Sequence, residues 1–66
     1  MKNLSETSNT LCPVCGRTHV AEYDICNICG WENDPVQASK PTLPGGANQM
    51  SLEEARKAYR AGRPIQ

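Results

Sequence analysis

Three observations predict a small metal-stabilised α+β domain. The chain has 66 residues, repeats C-x-x-C-G twice, and ends in one capped amphipathic run. The expected order is a double knuckle carrying a short β-hairpin, then an irregular loop, then one C-terminal helix. Size sets the premise. A chain near 60 residues buries only about 60% of its unfolded surface. Apolar residues are 38% of this one, phenylalanine is absent, and the aromatics are Tyr23, Trp31 and Tyr59. A core of that kind contributes only about 3–5 kcal/mol. Disulfides or a metal must add the rest.

The compartment selects between them. "MKNLSETSNT" contains no apolar stretch of the roughly 7–15 residues that a secretory signal requires. No segment approaches the roughly 20 apolar residues of a membrane helix. The expectation is a cytoplasmic protein with no membrane segment, where paired thiols signify metal or redox chemistry. Residues 1–10 lack periodicity and read as a flexible tail, so residues 11–66 form the single domain.

Cys12, Cys15, Cys26 and Cys29 follow C-x2-C-x10-C-x2-C. Two residues between ligands let one tight turn aim two sulfurs at a point, and two such turns complete a tetrahedron. Zinc accepts four thiolates near 2.3 Å and leaves no open position in structural centres. One structural Zn2+ is therefore expected, in a zinc-ribbon or rubredoxin-like double knuckle. Iron makes the same demands on the protein. Two disulfides would suit a secreted chain, and a redox pair would sit at a helix start in a βαβ unit. Gly16 and Gly30 follow each pair and allow the turn to close with backbone N–H groups toward sulfur. Pro13 stiffens the first turn. His19, the one histidine, reads as an ordinary hairpin residue.

Between the pairs, "GRTHVAEYDI" has room for two short strands and a turn, with Thr18, Val20, Tyr23 and Ile25 suited to strands. "ENDPVQASKPTLPGGANQ" carries three prolines and two glycines and reads as irregular. Pro35 biases Asp34 toward an extended conformation, which turns the chain there. A helix over about 52–61 follows. Ser51 and Glu54 form a capping box, and Glu53 and Glu54 oppose Lys57 and Arg60 along the dipole. Leu52, Ala55 and Tyr59 mark its apolar face, and Gly62 then Pro64 end it.

The run "CPVCG…ICNICGWENDPVQ…GGANQMSLEEARKAY" resembles the cysteine-rich CPCC domain of bacterial proteins, over residues 11–59. The family's first motif is Cys-Pro-Cys-Cys, and here Val14 replaces the internal cysteine. Both C-x-x-C pairs survive that departure. The resemblance implies a small zinc-binding domain with no established catalytic activity. Members occur in polymorphic-toxin neighbourhoods, where such small proteins serve as immunity partners.

No nucleophile, base and acid are arranged for catalysis, and no phosphate loop is present, so an enzyme is not expected. The expected function is an immunity protein that binds a cognate protein toxin and blocks its active site sterically. Trp31, Glu32 and Asp34 are the candidate partner-binding residues: an aromatic anchor beyond a rigid knuckle, with acids to meet a basic cleft. Against this, the preferred reading of Trp31 itself is that it packs under the C-terminal helix to complete a meagre core, and the two acids would serve to cap the turn. A nucleic-acid-binding ribbon would use Arg56, Lys57, Arg60 and Arg63. Lys+Arg and Asp+Glu are seven each, however, and nucleic-acid domains are clearly basic. An accessory subunit of a larger assembly is the remaining alternative.

Overall fold

The structure, a computed structural model, describes residues 9–66; positions 1–8 of the expected tail lie outside the described residues. Strand β1 (Asn9–Leu11) pairs antiparallel with β2 (His19–Ala21) in the register Asn9↔Ala21, Thr10↔Val20 and Leu11↔His19. The hairpin therefore brackets the first knuckle instead of lying between the two. The reason is local. The C-x-x-C-G turn reverses the chain by itself, and Cys12 N–H donates to Thr18 O at 2.9 Å to continue the ladder.

The second knuckle is mounted in the same way. Ile25 bridges Glu32 antiparallel, and Cys26 N–H donates to Trp31 O at 2.8 Å. Tyr23 and Ile25 thus belong to this second ribbon and not to the first hairpin. A turn at residues 21–24, closed by Asp24 N–H to Ala21 O, joins the two ribbons.

The connection after Trp31 is not irregular throughout. Helix α1 (Pro35–Ser39) begins with Asp34 as N-cap, whose Oδ1 accepts from the N–H groups of Val36 and Gln37. Asp34 is extended, as the following proline requires, but it starts a helix and does not merely turn the chain. Pro41 follows the C-cap Lys40, and proline past a C-cap cannot continue the helix.

Helix α2 (Leu52–Arg60) carries the expected capping box. Ser51 Oγ accepts from Glu54 N–H, and Glu54 Oε1 accepts from Ser51 N–H. At its other end Gly62 N–H donates to Tyr59 O and Arg63 N–H to Ala58 O, which is a Schellman closure around a positive-φ glycine. Leu52, Ala55 and Ala58 are the buried positions, while the larger Tyr59 stays half-buried at the margin of that face.

The core joins Cys12, Val20, Cys26, Trp31, Leu52 and Ala55, with Met50 and Ile65 against its edge. Trp31 is the largest fully buried side chain. It joins the same core as Cys12, Cys26, Leu52 and Ala55, so the cysteine module and the helix share one interior. Its Nε1–H has no hydrogen-bond partner among the described residues. Among the described residues no helix is long and apolar enough to cross a membrane.

Candidate metal centre

The two knuckles are built alike. Gly16 N–H donates to Cys12 O at 2.9 Å, and Gly30 N–H donates to Cys26 O at 2.8 Å. Each glycine holds a positive φ, 64° and 90°, a conformation that a Cβ would strain. The glycine N–H groups themselves close the turns onto carbonyl oxygens. Other N–H groups of the turns and their flanks point toward sulfur, as expected. Arg17 supplies one to Cys15, Trp31 one to Cys29, and Ile28 and Cys29 both turn toward Cys26.

Together the knuckles bring Cys12, Cys15, Cys26 and Cys29 into one cluster, with all four Sγ atoms within 4.8 Å of one another. The short contacts cross between knuckles: Cys12 to Cys29 at 3.5 Å and Cys15 to Cys26 at 3.7 Å. Four thiolates about 2.3 Å from a common centre stand about 3.8 Å apart in a tetrahedron. The cluster is close to that figure, so these four residues could hold a metal ion. Cys12 and Cys26 are buried, and Cys15 and Cys29 are half-buried.

The thiols are not equivalent. Burial pushes Cys15 and Cys29 up, and neighbouring thiols add to the rise. Burial acts the same way on Cys26, but the N–H groups of Cys29 and Ile28 and the thiols of Cys15 and Cys29 outweigh it and hold it at about 7. A metal ion, if held here, would be bound by all four sulfurs as thiolates. His19 is exposed on β2 opposite Leu11, an ordinary hairpin residue.

The description "Cysteine-rich CPCC" matches residues 10–62, most of the chain. The chain belongs to the cysteine-rich CPCC family. Comparison with curated proteins found no match. Val14, which replaces the family's internal cysteine, packs half-buried against the core and is no part of the sulfur cluster.

In this CPCC domain the run after the second knuckle faces inward. Trp31 has no exposed surface, so it is a core residue and not the anchor of a partner-binding face. Asp34 is buried as well, with Oδ1 capping α1 and Oδ2 accepting from Ala47 N–H at 3.0 Å. The Ala47 N–H, with those of Val36 and Gln37, holds its carboxyl below the ordinary value despite burial. Only Glu32 of the expected trio keeps a half-exposed side chain. Its backbone is clasped by Asn48, which donates through Nδ2 to Glu32 O and accepts at Oδ1 from Glu32 N–H, both at 2.9 Å.

Sequence reasoning missed Gln37, which is fully buried. Its Nε2 is shared among the carbonyls of Leu43, Asn48 and Met50, and its Oε1 accepts from Asn48 N–H and Nδ2. The D-P-V-Q and G-G-A-N fragments are thus two halves of one internal polar lock. Asp-Pro as a cap followed by a first helical residue was the available signal for α1. The partners of Gln37 had none. Arg56, exposed on α2, donates through Nε to the carbonyl of Pro13 in the first knuckle.

Proposed function

We propose that the four cysteines hold one structural zinc ion and that the domain is a non-catalytic binding protein. Its expected role is immunity: it sits over the active-site entrance of a cognate bacterial toxin and excludes substrate. The observation that carries this reading is the sulfur cluster, whose spacing suits a tetrahedral ion with no position left for a reactive water. Zinc is preferred because closed four-thiolate sites are its usual structural setting, in a reducing cytoplasm that keeps the ligands available.

The non-catalytic part is supported by where the buried polar side chains go. Asn33 donates to Val20 O and Ala21 O, and Ser51 caps α2. Asp34, Gln37 and Asn48 close the lock described above. Each satisfies backbone groups, which is a structural task. The immunity role is supported by the small rigid format and by the setting that the family resemblance implies.

Elemental analysis should find one zinc per chain, and a chelator should abolish cooperative unfolding. Iron would declare itself by visible absorption and by its own elemental signal. Cys12→Ser should lose the metal, and with it any protection of cells that co-express a lethal domain encoded alongside. A chain that folds cooperatively without metal overturns the first half of the reading. A zinc-replete chain that protects against no such toxin overturns the second.

A further inference from the structure

With Trp31 and Asp34 turned inward, the question is which side chains the fold leaves outside without a folding duty. Tyr23, Ile25 and Ile28 fall within six residues of the second ribbon and knuckle, at 53%, 64% and 51% exposure. Exposed Glu22 and Asp24 lie among them, and half-exposed Glu32 stands across the bridge from Ile25. No basic residue occurs from Ala21 to Asp34.

Tyr23 is held in an unusual way. It is the one non-glycine residue with positive φ among the described residues, at 65°. It occupies the third position of the turn closed by Asp24 N–H to Ala21 O, where glycine or asparagine is the ordinary choice. Its own N–H donates to Asn33 O at 2.8 Å, which fixes the strained backbone in place. A bulky aromatic in that conformation works against folding, and with 53% of its surface exposed Tyr23 gains only partial burial in return. Beside it, a shallow groove of about 450 Å³ is lined by His19, Ala21, Asp24, Ile25 and Asn27, with acid at its edge.

We propose that Tyr23, Ile25 and Ile28 form the docking face for a partner protein that presents an apolar side chain flanked by lysine or arginine. The inference deepens the interaction reading above and rests on it. The apolar trio supplies the desolvated centre of a contact, and Glu22, Asp24 and Glu32 supply an acidic rim that selects a basic partner. Four thiolates around one divalent ion add negative charge to the same module. Tyr23 is then retained for what it touches in the complex and not for what it does in the free chain.

The test uses the full zinc-loaded chain and a phage-displayed random dodecapeptide library. Enriched peptides should carry an aliphatic or aromatic residue next to lysine or arginine. They should bind Tyr23→Gly and Ile28→Asp at least about tenfold more weakly than the parent. Both variants should keep full zinc content, and Tyr23→Gly should unfold at or above the parent midpoint because the strain is gone. A lower midpoint for Tyr23→Gly would make the tyrosine structural and overturn the assignment. Peptides that bind both variants as well as the parent would overturn the face while leaving an interaction module intact. Acidic peptides sensitive to Lys57→Glu and Arg63→Glu would do the same and move the contact to α2. Self-association of the parent abolished by Ile28→Asp would make the occupant a second copy and overturn the basic partner. No enrichment at all would overturn the face together with the reading on which it rests.

Discussion

Arg56 and Pro13, 43 positions apart in the chain, are joined by a 2.8 Å hydrogen bond from the guanidinium Nε to the proline carbonyl. The contact ties α2 to the turn that carries Cys12 and Cys15. It also brings a cation to the module that four thiolates would make negative. Arg56→Ala should lower unfolding stability by about 1 kcal/mol, a modest value because the side chain is exposed. It should also speed zinc transfer to a competing chelator, whereas Arg60→Ala, on the same helix, should leave transfer unchanged. Urea unfolding and chelator kinetics on the zinc-loaded protein read both effects.

Gly46 tests the polar lock. A Cβ placed there would stand 2.8 Å from Asp34 Oδ2 and 2.8 Å from Gln37 Cδ, so side chains held by several hydrogen bonds would have to move. Gly46→Ala should therefore destabilise by about 1–3 kcal/mol, the usual range for overpacking. The damage should extend to α1, which Asp34 caps. Hydrogen exchange should show faster amide exchange at Val36, Gln37 and Ala47, whose N–H groups now bond to Asp34 or lie beside that cap.

Trp31 separates a core from a binding anchor. Trp31→Ala should cost the zinc-loaded protein about 3–5 kcal/mol and weaken zinc retention. Trp31→Phe should cost less, because it keeps most of the ring area and removes a buried N–H that lacks a partner. Thermal unfolding of the zinc-loaded parent and variants distinguishes the outcomes. An alanine variant as stable as the parent would contradict the burial described above.

Asp34 sets a pH dependence of definite sign. Its carboxyl is held below the ordinary value in the folded chain, so folding favours the charged form. That contribution is complete above the unfolded value of about 3.9 and disappears as pH falls through the folded one. Asp34→Asn should thus be less stable than the parent near neutrality, and the gap between the two should close on acidification. Paired denaturant curves from about pH 6 down to about pH 3 measure it.

Features read correctly from the sequence were those whose geometry is local. Two residues between Cys12 and Cys15, and between Cys26 and Cys29, suffice to aim two sulfurs at one point. Ser51 with Glu54, and Gly62 after the last turn, define both ends of α2 through contacts three to five residues long. The hairpin was misplaced because strand residues are read by type, while pairing depends on which turn reverses the chain. Here the knuckle itself does so, moving the partner of Val20 back to Thr10. Trp31 and Asp34 each carried two readings, partner contact or core and cap, because an aromatic and an acid look alike in sequence whether they face out or in; the structure buries both. Asp34 is turned inward by Ala47, thirteen residues away, and Gln37 by Asn48, eleven away. No spacing rule connects such positions before the chain has folded.

The lock between Gln37 and Asn48 has one more result. Because an amide and its neighbours brace the interior, the exposed side chains of Tyr23, Ile25 and Ile28 take no part in that bracing. Replacements there leave the lock's hydrogen bonds untouched, so the docking face proposed above can vary in chemistry on an unchanged scaffold.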